Sequence, residues 1–169
     1  MVATFQWCQS NGAGETITVG IGSINFGSAD QANLDPETYP ITAGSYSYEV
    51  YIFGRFTGTY TKIDNIKFWK SSGNYVTGET IFWTGSVLRS NYAQPVQTKS
   101  TVAIGSVPTT EPASANVTIG GSLTGSLYNS GSGTTGSDTD YIVMQTEITT
   151  AASPGATNYK QFTLSYDEV

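Results

Sequence analysis

The sequence predicts an all-β protein, a single-domain β-sandwich spanning residues 1–169. Three observations predict it. Short runs of apolar residues alternate with polar ones at a period of two, the spacing that sends side chains to one face of a strand. Clusters of glycine, asparagine, serine and proline punctuate these runs at the places where a chain reverses. No stretch of ten or more residues shows the 3.6-residue apolar period of an amphipathic helix. Eight or nine short strands so separated suit a sandwich, with a jelly roll as the leading topology and an immunoglobulin-like sandwich as the alternative.

The elements follow in order. Phe5 and Trp7 alternate with Thr4, Gln6 and Cys8 in a first strand, and Asn11-Gly12-Ala13-Gly14 forms a turn. Thr16 to Phe26 alternates again, with Ile17, Val19 and Ile21 on one face, and Gly20, Gly22 and Gly27 predict a bulge or a close contact. DQANLDPETYPIT (30–42) lacks either period and reads as a long surface loop. Ser45 to Lys70 then supplies two long strands joined near residues 56–60, predicted as the central pair of the fold. In the first of them Tyr46, Tyr48, Val50, Ile52 and Phe56 share a face, opposite Ser47, Glu49, Tyr51, Phe53 and Arg55. The second sets Asp64, Ile66, Phe68 and Lys70 against Ile63, Asn65, Lys67 and Trp69.

Beyond a turn at 71–74, ETIFWTGSVL (79–88) is a further strand. Pro95, Pro108 and Pro112 mark 90–115 as loop, with a short strand expected at 98–104, and 116–127 fits a glycine-broken strand. YNSGSGTTGSDT (128–139) is the most biased stretch and the first place to expect disorder. Tyr141 to Thr150 and Tyr159 to Asp167 flank a Pro154-Gly155 turn, so this ending is expected to be a hairpin.

Composition excludes several functions. Seven Lys and Arg against thirteen Asp and Glu give a net charge of −6, with no cationic footprint for nucleic acid. No segment reaches the roughly 20 apolar residues of a membrane-spanning helix. Cys8 is the only cysteine, which rules out an intrachain disulfide, and its place in an alternating strand marks it as a buried, inert thiol. With no export signal visible, the chain is expected to be made and folded in a cytoplasm.

Histidine is absent, which removes the commonest general base, the commonest metal ligand and every Ser-His or Cys-His pair. Glu49, Asp64 and Glu79 are the acids that carboxylate-only catalysis would use, but isolated acids on strands are usually solvated or paired. Asp138 with Asp140, and Asp30, Asp35 and Glu37, lie in loops that match no calcium motif. The chain is therefore expected to be no enzyme and to hold neither cofactor nor metal. The aromatic supply has two readings, core plus protein interface or a sugar-stacking platform. The candidate contact residues are Tyr51, Phe53 and Arg55, on the second face of the central strand, with Trp69 and Trp83. Asn116-Val117-Thr118 matches a glycosylation acceptor but reads as a strand start.

Three segments carry a resemblance: FTGTYTKIDNIKFWKSSGNYVTGETI, the ending YIVMQTEITTAASPGATNYKQFTLSYDEV, and NFGSADQANLDPETYPITAGSYSYE. In these the chain resembles the small β-sandwich virion proteins of tailed bacteriophages. The resemblance implies a head decoration (cement) protein that binds the outer capsid surface and stabilises it. Its expected partners are the major capsid protein or other virion proteins and further copies of itself, and its expected location is the virion, after synthesis in the host cytoplasm. The alternatives are a host-recognition module of a head or tail fibre that binds a surface glycan, and a non-viral carbohydrate-binding or adhesin domain.

Overall fold

The alternating runs do form strands, and these assemble into two sheets packed face to face. The computed structural model describes residues 3–129, 134–135, 137–155 and 157–169. One sheet contains β1 (Ala3–Asn11), β2 (Thr16–Val19), β3 (Ser45–Tyr46), β4 (Val50–Gly58), β6 (Glu79–Val87), β7 (Gly105–Ser106) and β10 (Tyr141–Ile148). Its order is β2-β1-β4-β10-β6-β7, with β3 beside β10. The other contains β5 (Lys62–Ser72), β8 (Leu127–Tyr128), β9 (Thr134–Thr135) and β11 (Gln161–Glu168), in the order β11-β5-β8-β9. Among the described residues the only helical element is a single 3-10 turn, Arg89–Asn91. The stretch expected to be disordered lies partly outside the described residues.

Two expected pairings are corrected. β4 and β5, predicted as a central pair, lie in different sheets: β4 sits between β1 and β10, and β5 between β11 and β8. The ending 141–168 is likewise no hairpin, because β10 pairs with β3, β4 and β6 while β11 pairs with β5. In both cases the chain arches over the edge of the core. Alternation identifies a strand, but it is equally satisfied when the next strand lies across the core. There Val50, Ile52 and Phe56 of β4 share one cluster with Ile63, Ile66 and Phe68 of β5. The true hairpin is β1–β2, where Asn11 pairs with Thr16 around a turn opened by Gly12 at φ 72°. After it Gly20 bulges, its amide and that of Ile21 both donating to the Trp7 carbonyl. The predicted close contact is at Gly27, where a Cβ would lie 2.5 Å from the Tyr39 carbonyl oxygen.

Bulges also reset three predicted faces: the one at Gly20 sends Ile21 into the interlayer core while Ile17 and Val19 stay on the outer face. Asn65 has φ 52°, and the β5–β11 register shifts beside it. Ile63 and Ile66, expected on opposite faces, therefore both reach the core. Likewise Tyr46 pairs with Glu147 but Val50 pairs with Met144, so three residues oppose two. Tyr46 thereby leaves the Val50 face, and its hydroxyl donates to Glu147 at 2.9 Å.

The interlayer core centres on Ile52, Phe56, Ile66, Phe68, Ile142 and Met144. Trp83, Phe68 and Phe162 stack through it, each neighbouring pair of ring centroids 5.6 Å apart. Truncating a buried ring of this kind costs about 3–5 kcal/mol. A second, smaller core lies on the outer face of the larger sheet, formed by Cys8, Tyr51, Phe53, Ala103, Tyr141 and Val143. Covered on both faces, β10 is almost wholly buried and is the central strand.

Candidate functional site

The outer face of the larger sheet is where the sequence placed a contact surface, and the chain covers it with its own segment 88–103. This strap leaves β6, crosses to the β1–β2 turn, and returns to β7. Tyr92 fastens the far end, its hydroxyl donating to the Gly12 carbonyl at 2.7 Å. Gln145, buried on β10, donates to the Thr98 carbonyl and accepts from the Ser100 amide at 2.7 Å, while Glu49 accepts from the Ser100 hydroxyl. Arg89 enters the outer core, its guanidinium carbon 3.8 Å from the centre of the Phe53 ring and 4.1 Å from that of Tyr141. Its Nη1 lies 3.2 Å from Glu15 Oε1, an ion pair without an aligned hydrogen bond. Burial pulls the Arg89 pKa down and the Glu15 carboxylate opposes that shift.

Tyr51 and Phe53 are thus 2% and 0% exposed, and neither ring reaches solvent or a partner. Burial, with the Glu49 charge adding to it, pushes the Tyr51 phenol up to about 12. Arg55, from the same face, is partly exposed and grips Asp138 with two hydrogen bonds of 2.7 Å. Burial alone would raise the Asp138 carboxyl, but hydrogen bonds from Arg55 and Ser137 hold it below the usual range. Trp83 points inward, half-buried against the core. Trp69 pairs with Thr163 on β11 and is half-buried on the smaller sheet. The five predicted contact residues therefore form no common surface: two are interior, one stacks in the core, and two remain partly exposed on different sheets.

The candidate acids are also dispersed. Glu49 holds the strap, Asp64 pairs with Lys62 at 2.6 Å, and Glu79 pairs with Lys160 at 2.7 Å. Asp30 accepts from the Gly12 amide, Asp35 from Thr38, and Asp140 from Thr118 and the Gly121 amide. Among the described residues no three His, Cys, Asp or Glu side chains converge on a point where a metal could sit. Cys8 is fully buried, and burial raises its thiol pKa. Asn116 uses its side-chain amide as a strand substitute, donating to the Phe68 carbonyl and accepting from the Phe68 amide, each at 2.8 Å.

Sequence reasoning missed a concave site. Between the sheets, where β6 and β11 begin and β10 ends, an open cleft of about 1410 Å³ is walled by the loop 21–41. Trp7, Ile21, Ile81 and Phe162 give it apolar walls. Lys160 and Glu79 line it as an ion pair whose side chains are only 6% and 3% exposed. Glu79 also accepts from the Val76 amide at 3.0 Å, and Lys160 donates to the Asn158 carbonyl at 2.9 Å. Thr146 lines the same cleft, is 2% exposed, and its hydroxyl has no hydrogen-bond partner. Alternation does place Thr146 on the same face of β10 as Met144. No local pattern, however, brings Glu79 to Lys160 across eighty residues of chain.

The larger sheet ends in an uncovered edge. β2 pairs only with β1 among the described residues and carries Ile17 and Val19, 40% and 46% exposed. Their partners Ser10 and Cys8 place both on the outer face, beside the strap. Comparison with protein-family models, with curated proteins and with solved structures finds no match.

Proposed function

We propose that the chain is a structural protein of a tailed-phage virion, a decoration protein bound to the outer surface of the head. The observation that supports this best is the β2 edge. A free strand edge bearing exposed β-branched residues invites pairing with another chain, and proteins that stay monomeric usually protect such an edge with charge or proline. Here β2 (Thr16–Val19) carries neither charge nor proline, and only its four-residue length and the bulge at Gly20 limit the edge. On a virion the edge would be covered by the major capsid protein or by a second copy. Each such contact is modest, and the lattice of the head makes many of them act together. The closed outer core and the strap fit the role, since they leave a stiff body to present that edge.

Co-sedimentation with undecorated heads tests the proposal. The wild-type chain is expected to add in fixed stoichiometry to the major capsid protein. A variant carrying Ile17→Lys and Val19→Lys is expected to fold, as both side chains are already solvated, and to lose binding. Heads that take up neither protein, or both equally, contradict the reading.

A further inference from the structure

We infer that β11 is a self-association edge, along which a second copy of this chain pairs antiparallel across a two-fold axis. β11 ends the smaller sheet and, among the described residues, pairs only with β5. The direction of its backbone groups follows from β5. Opposed residues of an antiparallel pair exchange both of their hydrogen bonds or neither. Phe68, opposite Leu164, instead bonds the Asn116 side chain through both its amide and its carbonyl. Lys70, opposite Phe162, sends its amide to the Pro108 carbonyl. Leu164 and Phe162 therefore turn their N–H and C=O groups away from β5. Both register shifts insert their extra residue in β5, so β11 keeps its alternation and Tyr166 turns the same way. All three residues are partly exposed, and no other described segment pairs with them.

The strand that fits this edge is β11 itself. From Gln161 to Tyr166 it carries no charge, no proline and no bulge of its own, the devices that keep an edge single. Its acids, Asp167 and Glu168, lie together at one end. A two-fold pairing centred on Leu164 sets Leu164 opposite itself and Phe162 opposite Tyr166, each pair exchanging both of its hydrogen bonds. Asp167 then falls opposite Gln161, so the acids of the two copies lie at opposite ends and never meet. The same register finishes the core. Phe162, Leu164 and Tyr166 pack half-buried at its margin, with Phe5 stacked on Tyr166 at 6.2 Å. In the dimer each copy's Phe162 shields the other's Tyr166. β2, with four residues against the eight of β11, offers no comparable register. An edge about 26 Å long buries less than the roughly 800 Å² per partner of a standard interface, so the dimer is weak and concentration-dependent. The inference does not rest on the head-decoration role, which uses the other sheet.

Sedimentation equilibrium of the intact chain tests it. The mass is expected to rise from monomer toward dimer between about 10 µM and 1 mM, the range of a small, transient interface. Hydrogen exchange over 161–168 should slow with concentration while that over 16–19 does not. Thr163 and Ser165 face each other across the two-fold on the outer side of the sheet, where new side chains leave the core untouched. Thr163→Lys with Ser165→Lys should therefore fold and weaken association at least roughly tenfold, by setting like charges directly opposite. Thr163→Glu with Ser165→Glu should do the same, and mixing the two variants should restore the dimer. Ile17→Lys with Val19→Lys should associate like the wild type. The inference is overturned if the wild type stays monomeric throughout, if the β2 variant loses association, or if either β11 variant associates like the wild type. Mixed β11 variants that stay monomeric, or exchange over 161–168 that ignores concentration, would overturn it as well.

Discussion

At the scale of single residues, several of the chain's charges are spent in or beside the two cores. Arg89 lies between Phe53 and Tyr141, Arg55 holds Asp138, and Lys160 holds Glu79. Asp138 gives a pH prediction whose sign is fixed. Its folded pKa is depressed relative to an unfolded value near 3.9. It therefore adds stability above about pH 4, and that stability is lost as pH falls through the folded value. Asp138→Asn should flatten the acid limb of a stability–pH curve followed by urea denaturation, with the largest difference from wild type near neutrality. Phe53 offers a sharper test of burial. Phe53→Asp should leave no folded protein, whereas Phe53→Ala should fold with a loss of about 3–5 kcal/mol. A soluble, folded Phe53→Asp chain that merely failed to assemble would mean that this face is an interface. The aromatic and cationic richness of 45–70 is plain in the sequence. That Tyr51 and Phe53 are shielded by residues 88–103 is not, because nothing local in a proline-containing loop says which face it will cover.

At the scale of elements, the strands were legible and their partners were not. β1, β4, β5, β6, β10 and β11 all fall within stretches of visible alternation. The β1–β2 turn was readable because Asn11-Gly12 supplies the positive φ a tight reversal needs. The arches from β4 to β5 and from β10 to β11 were not readable, since a strand that crosses to the other sheet keeps the same alternating pattern. Bulges were hidden for a related reason: one inserted residue inverts every later face assignment. Asn65 is the clearest case, a residue other than glycine at φ 52° that lets both Ile63 and Ile66 reach the core. Asn65→Val should destabilise the fold by about 1–3 kcal/mol, since a β-branched residue tolerates that backbone poorly. Asn65→Gly should be close to neutral. Equal midpoints for all three proteins in a denaturant series would show that the bulge is not held there.

At the scale of the whole molecule, the sequence gives an all-β sandwich from alternation and turn chemistry, and the structure has that architecture. Strand order, which separates a jelly roll from an immunoglobulin-like sandwich, depends on long-range pairing and left no local mark. The cleft was equally invisible, for it is assembled from β1, the loop 21–41, β6, β10 and β11, with Glu79 and Lys160 meeting only in three dimensions. What the larger sheet offers to a partner is the short β2 edge, which carries neither charge nor proline, and the proposed head-decoration role rests on that edge. For that proposed role the most direct measurement is quantitative mass spectrometry of purified virions from a tailed phage carrying the gene. The chain should be present at a copy number in fixed ratio to the major capsid protein, and heads stripped of it should break at a lower temperature. Its absence from virions, or a copy number of only a few per particle as a tail component would have, would contradict the account.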